Sequence, residues 1–266
     1  ELVCRELHAK YFEYKREQYA WTSGTYLPNH LTCETHADLP EEEQFSVPKH
    51  KDFLAISMEG VMSQKLVKTY MQDSNLRRVE DYFSLYITQE PVRHMERWHT
   101  DEELGRQLLN GVHPLWFKRC DALPATLKVD DEALTGLLPP GRTLDQEIRA
   151  GHIFLLDYEI LKGVSTAPGA HVACPVALLF ASEDVSLRPL AIQLHQDGGP
   201  VWTPKDRPLE WILVKMHLAS ADANCHQMCS HLFGTHLLME PFAVALERTL
   251  FTAHPVYKLL KPHFMY

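Results

Sequence analysis

The chain has 266 residues, of which 45% are hydrophobic and 23% are charged, the balance of a globular protein with a sizeable core. Its formal net charge is −9 and no stretch of it is densely basic, which argues against nucleic-acid binding. The longest apolar stretches, at 153–156 and 176–180, are far too short to span a membrane.

The first part of the chain is predicted to be helical, with one polar interruption. Residues 3–20 are charged and carry apolar positions at helical spacing, which indicates a helix. Residues 22–50 are polar and contain prolines that break any regular element, so we expect an irregular connection there. Residues 51–72 and 77–110 have the pattern of amphipathic helices.

The middle of the chain is predicted to form a small sheet. Three short apolar segments are bounded by Gly, Pro and Asp, at 152–161, 173–180 and 189–196. From 208 to 250 the pattern is helical again, as one very long helix or two stacked ones, and long apolar helices of this kind are usually buried. The order of elements therefore predicts a mainly α-helical fold with a small β-sheet.

Three histidines recur at a fixed spacing late in the chain. His226, His231 and His236 are five residues apart. On an α-helix, five residues rotate about 140° beyond a full turn, so neighbouring histidines would point to different faces. A π-helix has a wider turn that brings positions i and i+5 roughly into line, and π-helical turns occur preferentially at functional sites. If two of these imidazoles share a metal, the spacing predicts a π-helical distortion.

The spacing alone leaves several interpretations open. Zinc proteases use a spacing of four with a Glu directly after the first His, so the Gln227 that follows His226 excludes that class. A buried histidine is most often a core residue, whereas a metal bound by this ladder would be iron or zinc, because imidazole suits both. Two ligands on one element cannot complete a site, so the remaining ligands come from another segment or are absent.

The neighbours of the ladder also allow more than one interpretation. Cys225 and Cys229 are four residues apart and are better explained as core cysteines than as thiolate ligands. Gln227 either makes a buried hydrogen bond for structural reasons or orients a metal ligand. His254 and His263 stand at a helix end and a turn, where capping or exposure is the simpler explanation.

The segment around the ladder resembles the iron-binding helix region of animal-type lipoxygenases. Residues 211–264 contain WILVK, then HQxxxHLxxxHL, then HPVYKLLKPH, in the order of the family pattern. LLNGVHPLWFKRCDALP at 108–124 resembles an earlier family segment, with His113 in place of the usual Asn, and GHIFLLDYEILKGV at 151–164 matches another. The resemblance covers nearly the whole chain and is most specific in the final fifty residues.

The resemblance assigns the histidines of the ladder to different roles. It implies that His231 and His236 hold a non-haem iron, as Fe2+ or Fe3+. His226 belongs instead to the surrounding shell. Gln227 corresponds to an amide in that shell which links the iron side to the substrate pocket.

The resemblance also implies three substrate-binding residues. Leu232 and Leu237 each follow a ligand and correspond to apolar positions that line the fatty-acid channel. Phe53 matches an aromatic near the channel entrance of some animal members. Ser57 replaces the Tyr that accompanies it there, so neither gating nor positional preference is carried over from that pair.

The implied reaction is dioxygenation of a polyunsaturated fatty acid such as arachidonate or linoleate. A ferric centre takes a hydrogen from the methylene between two cis double bonds, and O2 adds to the radical to give a hydroperoxide. Two alternatives remain open: a hydroperoxide isomerase of the same fold, and a non-catalytic truncated product that binds a full-length partner. The expected partners are the fatty acid and O2, with peripheral membrane contact in the full-length enzyme and no nucleic acid.

Residues 1–266 are then expected to form an incomplete lipoxygenase catalytic domain, built around a long iron-binding helix with a π-helical segment. The family's N-terminal β-sandwich and the C-terminal half of its catalytic domain are expected to be absent, and with them the remaining iron ligands. The chain alone is therefore expected to be inactive. Its six dispersed cysteines indicate free thiols in a reducing compartment, so we expect a cytoplasmic location, with membrane association as an alternative.

Overall fold

The computed structural model describes residues 2–44, 46–73, 96–182 and 186–264. The chain divides into two compact units. The first unit combines Glu1–Asp73 with His231–Tyr266, and the second is Ser74–Ser230. The fold is mainly α-helical with a small sheet, which confirms the class predicted from the sequence.

Among its described residues, the first unit contains four α-helices and a two-stranded ribbon. The helices are α1 (Leu2–Gln18), α2 (Val47–Asp73), α6 (Leu238–Thr249) and α7 (Pro255–Leu260), and the ribbon pairs β1 (Trp21–Thr22) with β2 (His30–Leu31). Helices α1 and α2 confirm the two helices predicted for this part of the chain. The predicted apolar face of α2 is not buried, however, because Phe53, Ile56 and Val61 are all more than half exposed.

A buried carboxylate ties α6 to two other parts of this unit. Glu247 is 2% exposed and accepts hydrogen bonds from Lys15 Nζ at 3.1 Å and from Tyr257 Oη at 2.8 Å. Lys261 Nζ lies 2.9 Å from Oε1, the oxygen that also accepts the Tyr257 hydroxyl. Burial opposes ionisation of this carboxyl, but the hydrogen bonds from Lys261 and Tyr257 outweigh it and lower the pKa of Glu247. The charge is therefore retained in the interior because it is paired on several sides.

The second unit contains an antiparallel sheet of five strands. In sheet order these are β3 (Lys118–Arg119), β4 (Ile153–Asp157), β5 (Val176–Ala181), β6 (Leu187–Gln193) and β7 (Val201–Trp202). All three predicted strands are present, but the first is shorter than expected. It ends at Asp157, whose side chain accepts the backbone N–H of Glu159 at 3.0 Å and so closes the chain into a 3-10 turn.

Three helices of the second unit are α3 (Asp101–Asn110), α4 (Leu144–Ala150) and α5 (Pro208–Cys225). The predicted helix at 77–110 falls partly on residues 77–95, which lie outside the described residues. In the described part it begins only at Asp101, because the Thr100 hydroxyl accepts the N–H of Glu103 at 3.2 Å and caps the first turn.

The sheet is covered on both faces, and alternate residues of β5 point to opposite sides. Ala177 and Leu179 pack toward α3 and α5, whereas Val176 and Leu178 join a second cluster around α4. Gly105 allows α3 to approach β6 closely, since a Cβ atom at this position would lie 1.6 Å from the Leu187 carbonyl oxygen. One face of the sheet therefore packs against α3 and α5.

The predicted helical run at 208–250 is continuous, but its middle is not the buried helix that was expected. It consists of α5, a π-helix (His226–Leu237) and α6 in unbroken succession. No residue of the π-helix is buried, and six of its twelve side chains are His, Gln, Ser or Thr. A segment so rich in polar groups gains little from full burial. None of the described helices is both long and apolar enough to cross a membrane.

Candidate metal site

The predicted π-helical distortion is present and extends over the whole ladder. The π-helix begins at His226 and ends at Leu237, so all three histidines lie on it. In this geometry each turn takes up more residues than in an α-helix, and side chains five apart approach alignment. Histidines five residues apart do not align on an α-helix, but they approach alignment on this π-helix.

The side chains of His231 and His236 meet at their Nε2 atoms. These two atoms are 3.0 Å apart, and the ring centroids are separated by 4.8 Å with planes inclined at 49°. The hydroxyl of Thr235 also donates to the carbonyl oxygen of His231, within the same turn. Both imidazoles are exposed, so a ligand can reach the Nε2 atoms from solvent.

This separation fits two ligands of one metal ion. Metal–imidazole bonds are about 2.1 Å long, so two Nε2 atoms at a right angle around one ion would lie about 3.0 Å apart. The distance also suits a ring-to-ring hydrogen bond, and the two arrangements exclude each other because a metal takes the lone pair of both atoms. Among the described residues, no group of three or more His, Cys, Asp or Glu side chains is arranged to hold a metal.

A groove of about 570 Å³ opens beside His236. Its walls are mostly apolar and come from α6, α7 and the chain after α7, with His236 and Leu237 at one edge; the other lining residues are Thr235, Met239, Glu240, Ala243, Leu260, His263 and Phe264. The volume lies within the range of about 300–1,000 Å³ typical of small-molecule sites. An apolar ligand in this groove would lie alongside an imidazole of the candidate metal pair.

The remaining residues predicted for the substrate are placed differently. Leu232 is 40% exposed on the π-helix, and Phe53 is 58% exposed on α2. Neither lines the groove beside His236. Gln227 is exposed on the π-helix. Its predicted action on a metal ligand stays a prediction, as do the channel roles of Leu232, Leu237 and Phe53.

His226 is half-buried in the second unit and meets a cluster that sequence reasoning missed. Its ring packs against that of His113 with centroids 5.5 Å apart in an edge-on arrangement. His113 Nδ1 lies 2.6 Å from Asp222 Oδ1, and Tyr158 Oη donates to the same oxygen at 2.7 Å. The only signal in the sequence was the histidine itself, standing where the resembling family usually has Asn.

The other groups near the ladder have structural roles. Cys225 is buried and Cys229 half-buried, which confirms the core interpretation. Burial, and next the neighbouring Cys229, raises the pKa of the Cys225 thiol to about 12. His254 caps α7, since its Nδ1 accepts the N–H of Val256 at 3.1 Å. The histidine interpreted as a helix cap is therefore a cap.

Comparison with known proteins gives one consistent family. The lipoxygenase family profile matches residues 42–266. The allene oxide synthase-lipoxygenase protein of Plexaura homomalla is 32% identical over 290 aligned residues, which cover 98% of this chain and 27% of that protein. The epidermal-type polyunsaturated fatty acid (12S)/(13S)-lipoxygenase of Rattus norvegicus is 33% identical, with 99% of this chain and 41% of that protein covered. The chain thus spans less than half the length of these relatives.

Solved structures agree. The structure of coral 8R-lipoxygenase superposes with a TM-score of 0.81 at 33% identity, covering 99% of this chain and 40% of that one. Manganese lipoxygenase of Gaeumannomyces graminis shares the fold with a TM-score of 0.76 at 20% identity, covering 96% of this chain and 47% of that one.

Proposed function

The chain belongs to the lipoxygenase family, and on that premise we propose that it supplies two iron ligands, His231 and His236, to a non-haem dioxygenase. The reaction proposed is the addition of O2 to a polyunsaturated fatty acid to give a hydroperoxide. When bound, the iron would supply the one-electron oxidation that lets a hydrogen leave the methylene between two cis double bonds.

The observation that carries this proposal is the 3.0 Å separation of the two Nε2 atoms on the π-helix. An α-helix would direct these rings to different faces, whereas here both lone pairs can converge on one ion. Imidazole is a suitable ligand for iron, and two neutral ligands leave the charge and the redox activity of the ion intact. The converging, exposed rings support coordination more than core packing.

The residues beside the pair provide an apolar surface for a fatty acid. Leu237, Met239 and Phe264 line the groove next to His236, and an acyl chain seated there would displace water from the metal side of the groove. Glu240 also lines the groove, and its carboxylate accepts the backbone N–H of Leu31 at 2.9 Å. An ionised carboxylate offers a fatty acid no hydrogen-bond donor. Positioning of the substrate therefore falls to the apolar side chains.

The metal we propose is iron. Manganese is the alternative, because a manganese lipoxygenase shares this fold. Imidazole nitrogen binds both ions, and divalent manganese is held more weakly than divalent iron by a given site. A competition titration between Fe2+ and Mn2+ decides between them.

We further propose that the chain by itself binds the ion weakly and has no dioxygenase turnover. Both histidines are exposed, and no third ligand joins them among the described residues. Water would fill the other coordination positions. The protein would then set neither the affinity nor the redox potential of the ion closely. This proposal concerns the chain as a separate polypeptide.

An anaerobic Fe2+ titration, followed by O2 uptake with arachidonate, tests these proposals. We expect one weakly held iron per chain, its loss in the His231→Ala/His236→Ala double variant, and its retention in His195→Ala, an exposed histidine of the other unit. Iron binding that survives the double variant would overturn the ligand assignment. Rapid O2 uptake would overturn the proposed inactivity, and conversion of an added hydroperoxide without O2 uptake would favour the isomerase.

A further inference from the structure

A buried imidazole–carboxylate pair lies beneath the start of the π-helix. His113 is 5% exposed, and its Nδ1 lies 2.6 Å from Asp222 Oδ1. The Tyr158 hydroxyl, which is fully buried, donates to the same oxygen at 2.7 Å. A carboxylate only accepts hydrogen bonds, so Nδ1 of His113 carries the proton. The carboxylate thereby fixes both the tautomer and the orientation of the imidazole.

The rest of the His113 ring is held by aromatic contacts. Trp116 stacks on it with centroids 5.1 Å apart and planes inclined at 29°. His226 approaches with centroids 5.5 Å apart and planes at 62°, an edge-to-face arrangement. Within the described part of the chain, the buried Nε2 atom of His113 has no hydrogen-bond partner. The ring is thus oriented by Asp222 and Trp116, and it meets His226 through a ring-to-ring contact.

These contacts are concentrated where α5 changes into the π-helix. Asp222 lies in the last turn of α5, and His226 is the first residue of the π-helix. Tyr158 follows β4 directly and stacks with Trp116 at 6.1 Å, so the cluster is anchored to the sheet. The point from which the ligand-bearing helix begins is therefore tied to the sheet of its unit.

We propose that His113 is a positioning residue that fixes the ring of His226 and thereby the entry into the π-helix. An Asn at this position could donate to Asp222 but would have no ring to meet His226. The contact with His226 therefore depends on the imidazole of His113. The effect of this contact on metal binding by His231 and His236 rests on the proposed function.

Two variants separate the contact with His226 from the support of Asp222. His113→Asn keeps a donor to Asp222 and removes the ring, whereas Tyr158→Phe removes the other donor to the same carboxylate and keeps the ring. We expect His113→Asn to shift or broaden the ring ¹⁵N resonances of His226 in the metal-free chain and to weaken Fe2+ binding about tenfold, as loss of a supporting residue does at other metal sites. Tyr158→Phe should leave the His226 resonances in place and Fe2+ affinity within about twofold.

The outcomes distinguish this proposal from the one it rests on. Equal effects of the two variants, or unchanged His226 resonances in His113→Asn, would show that His113 supports the fold only. If circular dichroism shows that His113→Asn does not fold, His113→Gln takes its place, because its longer amide also reaches Asp222. We expect the same change in the His226 resonances and in Fe2+ affinity. If the wild-type chain binds no Fe2+, the proposed function fails, and the ring resonances still decide the role of His113.

Discussion

His231 and His236 direct their Nε2 atoms to within 3.0 Å of each other although five residues separate them. The wider turn of the π-helix is the physical cause, since an α-helical turn would rotate the second ring away. The metal site proposed for this chain is therefore a property of helix type as much as of residue type. Changes that leave both histidines in place but alter the turn should abolish it.

Insertion of one alanine after Phe233 tests the dependence on the turn. It places the two histidines six apart, and we expect Fe2+ affinity to fall by at least about tenfold while helical circular dichroism is retained. An alanine inserted after Gly199, an exposed turn residue of the second unit, serves as the control and should leave affinity unchanged. Equal affinity of the two insertion variants would contradict the geometric argument.

Glu247→Gln should destabilise the first unit. The substitution removes the charge that pairs Lys15 and Lys261, and breaking a buried pair from one side typically costs about 3–5 kcal/mol. Urea unfolding measures the change, with Asp145→Asn as the control because its partner Arg149 is exposed. If Glu247→Gln lowered the free energy of unfolding no more than Asp145→Asn does, the ion pairs of Glu247 would contribute nothing to stability.

The same carboxylate gives the stability a dependence on pH. The pKa of Glu247 is lowered in the folded chain from its ordinary 4.5, so its contribution is complete above that value and is lost as pH falls through the lower folded pKa. We expect the difference in stability between wild type and Glu247→Gln to shrink as pH is reduced below about 4.5. A difference that is constant from neutral to acidic pH would contradict a paired Glu247.

Gly105→Ala should be severely destabilising, because the new methyl group would meet the Leu187 backbone at 1.6 Å and force α3 away from β6. Overpacking typically costs about 1–3 kcal/mol, and a clash with backbone places this substitution at the upper end. Gly60→Ala is the matched control, since nothing lies within 4 Å of its added carbon. Gly60→Ala should raise the free energy of unfolding by up to about 1 kcal/mol, because alanine favours the helix over glycine. Denaturant unfolding of both variants measures the difference.

Cys225 should resist thiol reagents at pH 8 despite its position next to the π-helix. With a pKa raised to about 12, only about one thiolate in ten thousand is present at that pH, and burial blocks access as well. Cys33 is exposed and provides the internal control. Peptide mass spectrometry after brief labelling should find Cys33 modified and Cys225 unmodified until urea is added. Labelling of both at similar rates would contradict the burial of Cys225.

The sequence predicted those elements whose signal is periodic and local. The spacing of five, interpreted as a shared metal site, predicted a π-helical distortion. Three short apolar segments predicted β4, β5 and β6, but the two-residue strands β3 and β7 were not predicted. The sequence could not predict that Asp157 would end β4 early, because that depends on a side-chain hydrogen bond to a turn. Nor could it place His113 against His226, since 113 residues separate them and only tertiary packing brings them together. Exposure of the π-helix was missed because composition suggested a buried helix.

X-ray absorption at the iron edge of the Fe2+-loaded chain tests directly whether His231 and His236 bind one ion. We expect two imidazole ligands at about 2.1 Å, with oxygen at the remaining positions, and a spectrum without imidazole scattering in the His231→Ala/His236→Ala variant. A single imidazole, or iron bound through oxygen alone in the wild-type chain, would contradict the assignment of His231 and His236 as a shared metal pair.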